Sequence, residues 1–430
     1  MASSRLSLFP ALLLLLFLVA PFTVTSKTFP GDTEALNAVK QGVDPASILP
    51  GSCLSTWDFA AADPCDAAYG PRFTCGLRCD ARDAAGFLRV TELAFDPAGY
   101  SGSLSPSVWS LPFLESLDLA DNRLASAVPP PPPAGLPPRL RRVSLSRNAF
   151  SGEIPGFSDA PAPAPALEEL YLDSNLLSGP IPPGLATLPA LRRLELQMNN
   201  LTGGIPDLGP LQNLAFLDAS DNALSGEFPS GKLPASVVQI SLRNNRLEGE
   251  IPGAAVAALP ALQVMDLSHN GLWGAVPGAA FEHPSLEQLT LSYNQLESIT
   301  RPGDGGLWSR LIALDLGHNR LGGFLPAFLG LMPRLSALSL EDNRFTGMIP
   351  AQYAVRVVGA GGAVPFARLI LSGNYLFGPV PSPMVGLKEG SAMVSLADNC
   401  LFRCPPEFFF CEGGRQKSST TCRDFNPVIP

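Results

Sequence analysis

The stretch Leu191-Arg192-Arg193-Leu194-Glu195-Leu196-Gln197-Met198-Asn199-Asn200-Leu201-Thr202-Gly203-Gly204-Ile205-Pro206 decides the fold of this 430-residue chain. Leu194, Glu195 and Leu196 alternate apolar, polar, apolar, the two-residue period of a half-buried strand. Asn199 closes the strand. A buried asparagine amide bonds the backbone groups that a bend leaves unpaired, in its own turn and in a neighbour. Gly203 permits a tight turn, and Pro206 fixes an extended return path where no N–H is needed.

The same pattern recurs along the chain. Asn122, Asn148, Asn175, Asn199, Asn222, Asn245, Asn270, Asn294, Asn319, Asn343, Asn374 and Asn399 are mostly 23 to 27 residues apart, with one gap of 31. Ala98 holds the position in an earlier unit, which makes thirteen units. Glycine stands four places after this position in ten units, and proline seven places after it in most. One unit cannot bury its own apolar edge, but stacked units share a continuous core. Thirteen strands about 4.8 Å apart make a wall roughly 60 Å long. The expected fold is α/β: a curved right-handed solenoid with a parallel concave sheet and disulfide-bonded caps.

Composition agrees. The chain has 45 Pro and 40 Gly, which excludes a long helical bundle, and 46% hydrophobic residues, which supports a packed core. A net charge of −9 argues against a nucleic-acid partner.

The ends read as export and capping signals. Arg5, the apolar run Leu6 to Val19 and the small-residue site Val24-Thr25-Ser26 predict a signal peptide over 1–26. Residues 27–86 then form an N-terminal cysteine cap, 87–399 the thirteen-unit solenoid, and 400–430 a C-terminal cysteine cap and tail. No later segment is apolar for 18 residues, so no transmembrane span is expected. The polar tail from Arg415 to Pro430 lacks a lipid-anchor signal. Cys53, Cys65, Cys75 and Cys79 precede the repeats; Cys400, Cys404, Cys411 and Cys422 follow them. Each even group can close on itself, with three connectivities apiece. Cys75-Cys79 and Cys400-Cys404 also have zinc-like spacing, but export favours disulfides. Neither a metal nor a cofactor is expected.

The repeat with its Leu-x-Gly-x-Ile-Pro extension resembles the plant extracellular leucine-rich-repeat family of receptor kinases, receptor-like proteins and polygalacturonase-inhibiting proteins. Trp57-Asp58 through Asp63-Pro64-Cys65 to Cys79 resembles that family's N-terminal cap. The ending, Asn399-Cys400 with Gln416-Lys417 and Thr420-Thr421-Cys422, is similar to secreted plant receptor-like repeat proteins. No kinase domain is read in this chain.

Three places break the rhythm. Pro129 to Pro133, with Pro137 and Pro138, predict a stiff loop between units two and three. Ala160 to Ala166 alternates Ala and Pro and resembles the glycosylation modules of plant arabinogalactan proteins. Unit nine runs Glu297-Ser298-Ile299-Thr300-Arg301 without the usual Gly and Pro, and unit eleven is extended around Gly359 to Gly362.

Outward strand positions define the candidate binding face: Arg142, Tyr171, Arg193, Glu195, Phe216, Asp218, Arg243, Asp266, Tyr293 and Asp315. Exposed aromatics and arginines anchor protein interfaces, and folding alone gives Phe216 no reason to face water. Of the three histidines, His269 and His318 share a register two units apart, with rings expected roughly 10 Å apart as solvated turn residues. No catalytic constellation stands in a suitable context, so no enzyme is expected. The sequon Asn200-Leu201-Thr202 places Asn200 outward, where a glycan is tolerated.

The expected function is recognition outside the cell. The concave face binds an extracellular protein, peptide or cell-wall glycan in signalling or defence, and a membrane receptor kinase is the further partner the resemblance implies. The alternatives are a cell-wall inhibitor of microbial hydrolases, similar to polygalacturonase inhibitors, and a structural wall protein. The expected location is secreted, in the apoplast or cell wall or at the outer face of the plasma membrane.

Overall fold

The computed structural model describes residues 27–60, 62–65, 75–156, 166–360, 362–402, 404–405, 407–411 and 415–426. The expected signal peptide, and the Ala-Pro segment up to residue 165, lie outside the described residues.

Thirteen short strands, one per unit from Glu92–Ala94 to Met393–Ser395, stack in parallel into one sheet. Leu77–Arg78 of the N-terminal cap adds a fourteenth, antiparallel strand at the edge beside Glu92–Ala94. The units pair without a register slip: Leu170 lies opposite Leu194, Leu194 opposite Leu217, and Leu217 opposite Ile240. All four are buried, and so is the inward set of every other unit. Each buried leucine contributes about 1.5–3 kcal/mol. The period-two pattern therefore selects this register over a one-residue slip that would turn the set to solvent.

The asparagines form a second ladder along the turns. Asn199 Nδ2 donates to the carbonyls of Leu172, Leu196 and Gln197 at 3.0, 3.0 and 3.3 Å. Its Oδ1 accepts the Leu177 N–H at 3.0 Å. The same set recurs down the chain, for example at Asn270 and Asn343. One side chain thus closes its own turn and ties down the turn of the preceding unit. The residue just before the asparagine takes left-handed backbone, with φ near 58° at Met198 and 56° at Tyr293.

Beyond the turn, the chain pairs again on the flank. A seven-stranded sheet runs from Ser151–Glu153 to Gln295–Ile299, and a four-stranded sheet from Gly322–Phe324 to Cys400–Phe402. The break between them falls after unit nine, the unit without the usual Gly and Pro. The following loop holds Leu307 and Trp308 in solvent. The proline loop between units two and three packs rather than projecting freely: Trp109 Nε1 donates to the Pro129 carbonyl at 3.0 Å. The extension of unit eleven is clasped by Arg356, buried on the helix Ala351–Val357. Its guanidinium donates to the carbonyls of Val364 (2.7 Å), Gly330 (3.2 Å), Met332 (2.5 Å) and Leu335.

Both ends are sealed. Disulfides Cys53–Cys75 and Cys65–Cys79 close the N-terminal cap, and Cys400–Cys422 and Cys404–Cys411 the C-terminal one, so each cysteine group pairs within itself. In the first cap, Arg89 grips Asp32 through two hydrogen bonds of 3.0 and 2.8 Å, and both residues are buried. In the second, Gln416 continues the asparagine ladder from outside the repeat. Its Oε1 accepts the Leu401 N–H at 3.1 Å and its Nε2 donates to the Leu396 carbonyl at 3.1 Å. The asparagine of a fourteenth unit would make the same two contacts.

Candidate interaction surface

The outward residues of units three to six make a continuous ridge on the concave sheet. Strand pairing sets Arg142 beside Glu169, Glu169 beside Arg193, and Arg193 beside Phe216. It sets Tyr171, Glu195 and Asp218 in the next row. These neighbours bond one another. Arg142 donates to Glu169 at 2.6 Å and lies over the Tyr171 ring at 4.5 Å, while Tyr171 donates its hydroxyl to Glu169 at 3.0 Å. Arg193 donates to Glu195 at 2.7 Å and covers the Phe216 ring at 4.1 Å. A guanidinium over a ring contributes about 0.5–1 kcal/mol at an exposed site. Phe216 is therefore half-buried under Arg193, so folding accounts for part of its presence, contrary to the expectation of an isolated aromatic.

The other sequence candidates divide. Asp218, Asp266 and Asp315 each turn one carboxylate oxygen to the backbone N–H two residues on, at Ser220, Ser268 and Gly317, over 2.9–3.0 Å. These aspartates close the strand ends as side-chain turns. Asp218 keeps a second property: burial raises its carboxyl above the usual carboxylate range, Ser220 partly opposes this, and the nearby charges of Glu195 and Asp221 add to it. Arg243 lies two residues past its strand Gln239–Ser241 and is exposed. Tyr293 is not on the strand at all. It sits in the left-handed turn, stacked between His269 and His318 with ring centroids 4.1 and 4.0 Å away. His318 Nδ1 in turn lies 3.1 Å from Asp342. The two histidines are thus half-buried members of one stack rather than isolated solvated turns. His283 is buried too: its Nδ1 accepts the Leu286 N–H at 3.0 Å and its Nε2 faces the Leu259 carbonyl at 3.1 Å. Asn200 is exposed on the flank, with Asn199 turned inward.

A groove of about 490 Å³ opens across units one to five of the concave face. Its walls include Arg142, Tyr171 and Glu195, and also Asp118, Ser144, Asp173 and Gln197, which were not among the candidates. Asp118 and Ser144 occupy the row of Tyr171; Asp173 and Gln197 lie two residues past the strands. Extending the outward register to and past the C-terminal strand ends would have found them. A larger cavity of about 830 Å³ lies beside the loop after unit nine, lined by Ile299, Leu307, Phe324 and Phe328. It is mainly apolar, whereas the concave groove gathers charge, aromatic rings and hydrogen-bonding groups from five strands. Among the described residues no group of His, Cys, Asp and Glu could hold a metal ion, and no helix is long and apolar enough to cross a membrane.

Residues 235–296 and 166–188 match the family pattern described as leucine-rich repeat. The chain is a leucine-rich-repeat protein by these matches and by its fold, and it is similar to plant receptor-like proteins. Receptor-like protein 35 of Arabidopsis thaliana is 34% identical over 219 residues, which cover 50% of this chain and 22% of that protein. Keratocan of Mus musculus is 36% identical over 169 residues, covering 38% of this chain and 46% of its own. Among solved structures, PEPR1-AtPEP1 matches with a TM-score of 0.69 and 29% identity, over 87% of this chain and 49% of that one. The plant peptide hormone receptor RGFR1 in complex with RGF2 matches with a TM-score of 0.62 and 27% identity, over 76% and 49%. The chain thus spans between a fifth and a half of the length of these relatives.

Proposed function

We propose that this chain is an extracellular recognition module that binds a protein or peptide segment along the concave face of units three to six. The observation that carries the reading is the Arg142–Tyr171 and Arg193–Phe216 ridge, which presents two arginine-capped rings and their carboxylates on one rigid sheet. Aromatic and arginine side chains dominate binding energy when they sit on preorganised scaffolds. Similarity to a plant peptide hormone receptor in complex supports the same class of ligand. Four disulfides fit an oxidising, extracellular setting. Binding, not catalysis, is the activity, and signalling passes through a membrane receptor kinase to which the chain presents its ligand.

The test is capture of partners from extracellular fluid by the immobilised chain and by a Tyr171→Ala/Phe216→Ala variant. A partner retained by the wild type and lost by a variant with unchanged circular dichroism supports the reading. Equal capture by both removes the concave ridge from recognition.

A further inference from the structure

The floor of the concave groove holds a buried polar atom that the protein leaves unmet. Ser144 is only 4% exposed, faces the groove, and its hydroxyl has no hydrogen-bond partner. Gln197 donates Nε2 to Glu195 at 3.2 Å, while its buried Oε1 accepts nothing. Buried polar groups are ordinarily paired, so the unpaired Gln197 oxygen, beside a Ser144 hydroxyl open to solvent, marks a place where a ligand completes the set.

The charge around them fixes the sign of that ligand. Four carboxylates, Asp118, Asp121, Asp173 and Glu195, line the groove against two guanidiniums, Arg142 and Arg147. Both guanidiniums are committed, Arg142 to Glu169 and Arg147 to Asp121. Asp173 is held only by the hydroxyls of Ser146 and Ser174. Asp118 lies 3.9 Å from Arg142, with its other oxygen on the Ala120 N–H. An anion entering here meets an excess of negative charge. A neutral group satisfies Gln197 but brings no positive charge to Asp118 and Asp173, since Glu195 is already paired with Arg193 and Asp121 with Arg147. A cation with several N–H donors meets both needs.

We infer that the groove receives a guanidinium or ammonium side chain, so the bound segment is basic where it crosses units two to five. Ser144, Gln197, Asp173 and Glu195 form the cation subsite. The inference rests on the recognition reading above and adds the chemical class of the partner.

Fluorescence anisotropy with the full chain tests it, using labelled Gly-Ser decapeptides that carry three arginines, three citrullines or three glutamates. Citrulline keeps the shape and removes the charge. The arginine probe is expected to bind about tenfold or more tighter than the citrulline probe, and the glutamate probe weakest. Ser144→Leu fills the floor and Gln197→Leu removes the free acceptor; each should weaken the arginine probe by about fivefold or more. Glu389→Gln, exposed on a distant loop outside the concave face, should not change it. Unchanged hydrogen exchange in units three to five keeps the variants interpretable. Free spermine should compete only at much higher concentration; competition at equal concentration overturns assignment to a peptide segment. Equal binding of the arginine and citrulline probes overturns the cation subsite, as does full affinity in both leucine variants. If Tyr171→Ala/Phe216→Ala still abolishes partner capture in that event, the recognition reading stands and only this inference falls.

Discussion

Replacing Asn374 by alanine tests the asparagine ladder at one of its fully buried positions. Asn374 is fully inaccessible; its Oδ1 accepts the Phe345 N–H at 3.0 Å, and its Nδ2 donates to the carbonyls of Leu340, Leu371 and Ser372 at 2.9–3.2 Å. The losses are unequal. The three carbonyls keep other donors: Asn343 for Leu340, Asn399 for Leu371 and the Asp342 N–H for Ser372. The Phe345 N–H keeps none. A stranded buried donor costs about 1–3 kcal/mol, and the three weakened acceptors together about 1 kcal/mol more, so about 2–4 kcal/mol is expected. A long repeat array need not unfold as one unit, so a single melting temperature is the wrong readout. Hydrogen exchange at Arg344, Thr346 and Leu376 is the right one, and it should accelerate roughly 30-fold to a thousandfold. Unit four, where Asn175 holds the Phe150 N–H at 3.0 Å, should be unaffected. Asn374→Asp should be worse than alanine at neutral pH, because it aims an anion at three carbonyls. Acceleration below about threefold, or equal loss of protection in unit four, would refute the reasoning.

Three further outcomes follow from buried groups. Burial lowers the His283 pKa, with the Leu259 carbonyl opposing it, so the folded state holds the neutral ring. Its stabilising contribution is complete above the unfolded value near 6.5 and declines as pH falls from there toward the depressed folded value; urea titrations over that window should show the slope, and His283→Asn should remove it. Arg356→Met leaves the carbonyls of Val364, Gly330, Met332 and Leu335 without their shared donor and should cost about 2–5 kcal/mol, read as local exchange in residues 351–357. Asp32→Asn leaves the buried Arg89 charge to Asp83 alone, 3.6 Å away, and should cost about 3 kcal/mol in the N-terminal cap, whereas adding Arg89→Met, with the new asparagine still an acceptor for the Val90 N–H, should recover part of it, as urea titration can show.

The solenoid was legible because its cause is periodic. Leucine alternation, the asparagine and the turn glycine recur in phase, and each copy corroborates the rest. What escaped the sequence is what occurs once. Arg356 reads as an ordinary surface arginine, since nothing local says that four carbonyls converge on it. Gln416 lies 17 residues past Asn399, and only three-dimensional closure brings it into the ladder. Tyr293 is expected on the outward face of a strand, but the strand ends at Thr290 and the left-handed backbone at Tyr293 directs the ring onto two histidines. The concave ridge was partly legible, as the outward positions named Arg142, Tyr171, Arg193 and Phe216. Their pairing was not, because cross-strand neighbours depend on register between units. Ser144 and Gln197 were missed for a different reason. Their positions continue the outward register, but the unmet bond of the Gln197 oxygen depends on its three-dimensional surroundings and has no counterpart in spacing.

Gln416 has a consequence for how such a chain can change length. Because it engages only Leu396 and Leu401, positions that every unit possesses in equivalent form, the terminal piece carries no record of how many units precede it. Whole units can be gained or lost in the interior while the same ending docks unaltered. Stopping the stack is thus separate from specifying its reach, and the breadth of surface offered to a partner can vary without redesign of either end.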